Sequence, residues 1–281
     1  METMANWKFS MSSEIEIRLG CFFDAFAVVA HCEILSPRRA LTASKVAGWF
    51  TNLAIIALNP LSVRLMFPVL PVGMALPASE RQWGVTQPRG SPTLIEVVIG
   101  VIIPDLSIYL QHVLHHAVPA LWRLHMVHHA DLDYDMTTGL RIHPIEIVLS
   151  MGIKLMTVAA LGAPAQAVLI FEAALNATFM LNHSNIRIPE SVDRVLRLFV
   201  VTPDVHRVHH SVTIRETNSN YGFNFPWWDR LLGTYKDQPD KGHEGMTIGL
   251  SQFRDHKRLS LPSLLILPFV GDPGGVPINR H

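Results

Sequence analysis

Residues 109–129 read YLQHVLHHAVPALWRLHMVHH, and residues 202–211 read TPDVHRVHHS. Three HxxHH groups stand out: His112, His115 and His116; His125, His128 and His129; His206, His209 and His210. Side chains three and four residues apart share one helix face, so each group presents its imidazoles in one direction. Neutral imidazole is a good ligand for iron, zinc and copper. A lone histidine is ordinarily a surface or core residue, and that reading fits His31, His243, His256 and His281. It does not fit triplets, because clustered imidazoles repel one another when protonated and waste their donors when buried. Metal binding is therefore expected, with enough nitrogen for two ions. His183, in Leu-Asn-His-Ser-Asn, is a further candidate ligand. His143, in Arg-Ile-His-Pro, is a candidate either for the metal or for orienting a ligand.

Composition places these groups beside a membrane. The 281 residues carry 23 Lys+Arg and 23 Asp+Glu, are 49 % hydrophobic and only 16 % charged, and include 15 histidines but 2 cysteines. A soluble domain carries about 25 % charged residues. The zero net charge argues against nucleic-acid binding, which needs a basic excess. The apolar content excludes disorder. Two cysteines, Cys21 and Cys32, provide no CxxC pair and no disulfide framework, and they read as buried small hydrophobes. Glu2, Glu14 and Glu16 precede the first apolar run, unlike the basic start of a cleaved signal peptide.

Four apolar stretches approach the roughly 20 residues that a bilayer span needs: 46–71, 93–111, 144–161 and 164–182. Gly162-Ala163-Pro164 is a turn signal between the last two. Residues 20–35 read as an interfacial or weakly spanning helix, because Asp24, His31 and Glu33 interrupt them. Counting sides, segments 112–143 and 183–281 fall on the same face as the loop Ser36–Lys45. That loop holds Arg38, Arg39 and Lys45 and no acid, whereas Arg81 and Arg89 of the opposite loop are offset by Glu80. The positive-inside rule then makes the polar segments cytoplasmic. The expected fold is all-α: an integral membrane bundle of about four spanning helices in two hairpins, under a cytoplasmic helical cap that holds the histidines. The expected division is 1–92 as an N-terminal membrane region, 93–236 as the catalytic domain and 237–281 as a tail.

The boxes sit in a recognisable context. Asp105 precedes the first and Leu121-Trp122-Arg123 the second, with Thr137 to Pro144 following. Asn182-His183-Ser184-Asn185 comes before the third, and Asn220-Tyr221-Gly222-Phe223-Asn224 and Trp227-Trp228-Asp229 through Tyr235 close the region. Over residues 93–236 this pattern resembles the fatty acid hydroxylase/sterol desaturase superfamily. The resemblance implies a non-haem di-iron centre facing the cytoplasm, which oxidises C–H bonds of lipids with O2 and two external electrons. Carried over by position, it implies His112, His116, His125, His128, His129, His206, His209 and His210 as ligands, with His183 as a ninth. Family members commonly have Arg after the first histidine of the first box and a non-histidine before its last. Here Val113 and His115 occupy those places.

A ligating imidazole passes its second N–H to an acceptor, often a carboxylate. Asp105, Asp131, Asp204 and Glu146 are near enough in sequence, and Asn185 and Arg141 lie in the flanking motifs. Trp227 and Trp228 read as interfacial or packing residues. The expected partners are a lipid entering from the bilayer and a separate electron donor of cytochrome b5, ferredoxin or reductase type. The competing class is a membrane zinc or iron transporter, which wants histidines and acids along a path inside the spans. A bis-histidine haem carrier would instead need single facing histidines.

Overall fold

The computed structural model describes residues 11–42, 45–86, 92–255 and 259–276. Glu2, Arg89, His256 and His281 lie outside the described residues. Among the described residues the chain is all helix and loop, with two isolated bridges, Pro37 to Ile186 and Ser211 to Ile248, and no strand.

The helical bundle comprises α1 (Met11–Leu35), α2 (Lys45–Met66), α3 (Pro71–Glu80), α4 (Leu94–Ala117), α6 (Pro144–Leu161) and α7 (Ala165–Asn182), with α5 (Pro119–His129) joining α4 to the polar side. Among the described residues, four stretches are long and apolar enough to cross a membrane: Gly48–Ala78, Leu94–Ala117, Pro144–Leu161 and Ala165–Asn182. They correspond to the four expected from hydropathy, and the protein is an integral membrane protein. Two boundaries differ from the expectation. Stretch 46–71 is split, because Pro68 cannot continue α2 and Pro71 opens α3. Helix α4 runs on through the first histidine group, so spanning helix and first box are one continuous element. Its start is fixed by a capping box, in which the Thr93 hydroxyl and Glu96 carboxylate satisfy each other's backbone N–H groups.

Helix α1 begins at Met11, ahead of its apolar run, and packs along α7. Only one face is covered, so the free thiols Cys21 and Cys32 are exposed and half-buried, respectively, where the sequence reading expected both to be buried. The α6–α7 hairpin turns at Gly162, whose left-handed φ of 69° ends α6. The loop before α4 crosses that turn so closely that a Cβ on Gly84 would lie 2.2 Å from the Gly162 nitrogen.

The opposite end carries the polar layer: α8 (Glu190–Leu196), α9 (Pro203–His209), α10 (Ile214–Thr217), α11 (Trp227–Leu232), α12 (Gly242–Gly245) and the apolar α13 (Leu261–Val270). The loop after α1 joins this layer, as expected from counting sides. Arg38 reaches Asp204 at 3.3 Å and Glu244 at 2.7 Å. Glu33, at the end of α1, accepts from the backbone of Met136 (2.7 Å) and Asn185 (2.8 Å). Helix α13 packs on α5, burying Leu264 and Leu267 with Trp122 and Met126.

Candidate metal centre

Nine histidines converge where α4, α5, α7 and α9 meet. They form two groups whose ligand atoms all lie within 4.8 Å of one another: His112, His116, His125, His129 and His209; and His128, His183, His206 and His210. All nine are at most 4 % exposed. The HxxHH pattern explains the partition. In each box the two histidines four apart go to one group. The middle histidine, three residues after the first, diverges: His128 joins the second group, His209 joins the first, and His115 joins neither. Rings of the two groups touch, with His129 and His210 stacked at 4.6 Å between centroids.

The hydrogen bonds orient the imidazoles. Nδ1–H donates to the Tyr221 carbonyl from His112 (2.7 Å), to Ser219 from His209 (2.7 Å) and to Phe179 from His183 (2.7 Å). His116 donates to the Asn218 side-chain oxygen at 3.1 Å, and His125 to the Glu146 carboxylate at 2.7 Å. With Nδ1 protonated, each Nε2 is a bare acceptor. Yet the Nε2 atoms of His112 and His125 face each other at 3.0 Å, and His183 Nε2 lies 3.1 Å from those of both His128 and His206. His129 and His210 have no hydrogen-bond partner on either nitrogen among the described residues. Lone pairs aimed together in a dry interior are costly without a cation between them. The donor set therefore fits metal ions.

Protonation is suppressed at the same place. Burial, helped by neighbouring imidazoles, holds His125, His128, His129, His206 and His210 well below the ordinary imidazole range. Burial pushes His183 and His209 down to about 3. Neutral rings are the ligand form.

A loop supplies two of the accepting carbonyls and is itself held by one acid. Asp229 accepts from the backbone N–H groups of Tyr221 and Gly222, each at 2.8 Å. Asn220 sits at a left-handed φ of 52°, and its side chain donates to the Val205 carbonyl at 2.8 Å. Gly139 explains part of the motif after the second box, since a Cβ there would meet His183 Nδ1 at 3.0 Å.

The other sequence candidates lie outside the two groups. His115 donates to the Gln111 carbonyl at 2.8 Å, and its Nε2 stands 4.0 Å from Glu146. His143 caps α6, accepting from Ile145 N–H (3.2 Å) and donating to the Leu265 carbonyl (3.2 Å). Asp105 accepts from Trp228 Nε1 at 2.7 Å. Asp204 pairs with Arg207 and Arg38, Asn185 bonds the Arg39 backbone, and Arg141 bonds Asn52 and Asp131. Glu146 is the acid that reaches a clustered histidine. The accepting carbonyls of Phe179, Ser219 and Tyr221 escaped the sequence reading, because a carbonyl is common to every residue. Asn218 could have been found as the amide opening the Asn-rich segment.

An apolar cleft leads to the cluster from between α4, α6 and α7. Its empty space, counted out into its open mouth, is about 580 Å³, and Ile108, Ile147, Leu175, Phe179 and Phe223 line it together with His112, His125 and His128.

Fold and site together define a membrane-embedded protein with a buried multi-histidine metal site. The fatty acid hydroxylase family profile matches residues 97–234. The chain is 29 % identical over 228 residues to ornithine lipid hydroxylase OlsE of Rhizobium tropici, covering 78 % of this chain and 66 % of that protein. It is 28 % identical over 173 residues to human alkylglycerol monooxygenase, covering 60 % of this chain and 37 % of the relative. With rat cholesterol 25-hydroxylase it shares 26 % over 193 residues, 63 % of each chain. No solved structure matches. Residues 97–234 carry a fatty acid hydroxylase family domain, and the chain spans less than two thirds of the length of these curated relatives.

Proposed function

We propose that the protein is a membrane-bound non-haem di-iron enzyme that hydroxylates or desaturates a lipid. The observation that carries this reading is the division of nine buried, neutral histidines into two adjoining groups. In this reading His112, His116, His125, His129 and His209 hold one iron and His128, His183, His206 and His210 the other. Residues 93–236 form the catalytic unit, with 1–92 as membrane scaffold and 237–281 as a tail. The relatives named for ornithine lipids, alkylglycerols and cholesterol favour a lipid substrate.

The iron pair supplies the O2 and electron chemistry that no side chain can. The balance of a hydroxylation is RH + O2 + 2e⁻ + 2H⁺ giving ROH + H2O, and the electrons come from a separate donor of cytochrome b5, ferredoxin or reductase type. The chain's own residues bind, orient and exclude water. Tyr221, Ser219, Phe179, Asn218 and Glu146 fix ring tautomers so that Nε2 points inward. The apolar cleft admits a hydrocarbon from the bilayer and places a C–H bond at the cluster, which decides the outcome by position. The basic loop with Arg38 and Arg39 supports a site facing the cytoplasm. A transporter reading fares worse, because the histidines close on one another instead of marking a path.

The test is metal analysis joined to lipid analysis. Purified protein should hold about two irons per chain, and a host expressing it under O2 should show one lipid class shifted by about +16 or −2 mass units. Tightly bound zinc under iron-replete conditions, with no lipid shift, would sink the proposal.

A further inference from the structure

The cleft is not apolar throughout. Glu146, Ser150 and Lys154 all line it from α6, with Gln111 of α4 opposite. Spaced by four, they form one stripe, placing Ser150 roughly 6 Å and Lys154 roughly 12 Å along the axis from Glu146. Glu146 bonds His125, so this stripe runs from the metal cluster into the span.

Gln111 Nε2 donates to Ser150 Oγ at 2.5 Å. Gln111 is only 8 % exposed, and its Oε1 has no hydrogen-bond partner among the described residues. Lys154 Nζ contacts Glu172 Oε1 at 3.3 Å, and Arg18 of α1 pairs with the same carboxylate. That leaves further N–H donors on Lys154, which also lines the cleft. Ionisable residues this deep in a span are costly and mark function more often than packing. The packing alternative is that Lys154 only helps pin α1 to the hairpin.

Together the stripe offers one unmet acceptor, Gln111 Oε1, beside the donors of Lys154 and the Ser150 hydroxyl. A group that both donates and accepts satisfies this set, which an alcohol does and a hydrocarbon does not. We infer that Gln111, Ser150 and Lys154 bind a hydroxyl group of the lipid, and so select which carbon reaches the cluster. The inference rests on the oxygenase reading and deepens it. The substrate is then a lipid alcohol whose hydroxyl lies roughly 6–12 Å from the oxidised carbon.

The experiment uses the full-length protein in lipid nanodiscs. Binding of 1-hexadecanol is compared with hexadecane, and cholesterol with its 3-deoxy analogue, each read from ligand-dependent shifts in melting temperature. At least one alcohol should bind about tenfold tighter than its partner, the worth of one or two hydrogen bonds to an otherwise unmet site. The two pairs separate a chain alcohol from a sterol. Gln111→Leu, Ser150→Ala and Lys154→Met should each bring the preference towards one while leaving hydrocarbon binding intact. Lys154→Met leaves Glu172 its Arg18 partner, and Ser150→Ala is the mildest change should Gln111→Leu fail to fold. Equal binding within both pairs, or a preference unmoved in all folded variants, overturns the inference. Iron content and lipid oxidation are read on the same samples. Iron and oxidation without alcohol preference keep the enzyme and remove the hydroxyl site. Preference without iron does the reverse.

Discussion

Two buried polar clusters sit a few helix turns apart, and they are satisfied in opposite ways. Around Glu172, burial is matched by charge: Glu14, Arg18, Lys154 and Glu172 form a self-contained set of two acids and two bases. In the histidine cluster five rings have their outward nitrogen bonded, inward nitrogens are aimed at one another, and His129 and His210 have no partner on either nitrogen among the described residues. In the first cluster every charge finds its counter-charge within the chain, and only Lys154 keeps donors to spare. The second makes sense only with cations added. Burial alone therefore does not mark a metal site; the direction of the unmet atoms does.

The largest effect that would break this contrast comes from the histidines. His210→Gln should remove about one of two irons and lower product formation more than 100-fold, because its group has only four members. Iron analysis and lipid mass spectrometry check it; full iron and near-normal turnover would place the second metal elsewhere. Next comes Glu172→Gln, which strands Lys154 and leaves Arg18 with Glu14 alone. It should lower stability by about 2–3 kcal/mol, somewhat less than a fully buried pair because Arg18 keeps 24 % of its side chain exposed. A melting curve shows the loss, while iron per folded chain should stay unchanged.

A third prediction concerns protons in the polar layer, where His243 of α12 lies beside Asp204. Burial pushes His243 down to about 4, although Asp204 at 3.6 Å opposes the shift. Below an unfolded value of about 6.5 the unfolded chain binds the proton and the folded chain does not. Stability should therefore fall as pH drops from about 6.5 to about 4, and His243→Gln should flatten that part of the pH–stability profile measured by thermal melts. The smallest effect is expected at His115→Gln. That residue belongs to neither group, so iron content should remain at the wild-type level and activity should change less than about tenfold. Loss of iron in this variant would return His115 to the ligand set.

The spanning helices were legible because a bilayer demands long apolar runs, and 144–161 and 164–182 coincide with α6 and α7 almost to the residue. The split of 46–71 was less legible, since prolines 60, 68 and 71 all lie there and only two of them interrupt the helix. Pro60 stays inside α2, as a proline can when neighbouring helices stabilise the element. The convergence of the boxes followed from spacing and side-counting. Which residue orients which ring did not: Asp105 and Asp204 are nearer in sequence to histidines than Glu146 is to His125, yet they bond Trp228 and Arg207.

Sequence by itself determined that the protein is helical, membrane-embedded and built around clustered imidazoles, because hydropathy and helical periodicity are local properties. It also carried the family resemblance, through three boxes in fixed order. Tertiary structure decided how the nine histidines divide, why His115 stands aside, and which carbonyls hold the rings. It also brought Gln111, Ser150 and Lys154 into one cleft with the cluster. Those outcomes depend on how α4, α6, α7 and α9 pack against one another, and packing between distant segments has no short-range signature in the chain.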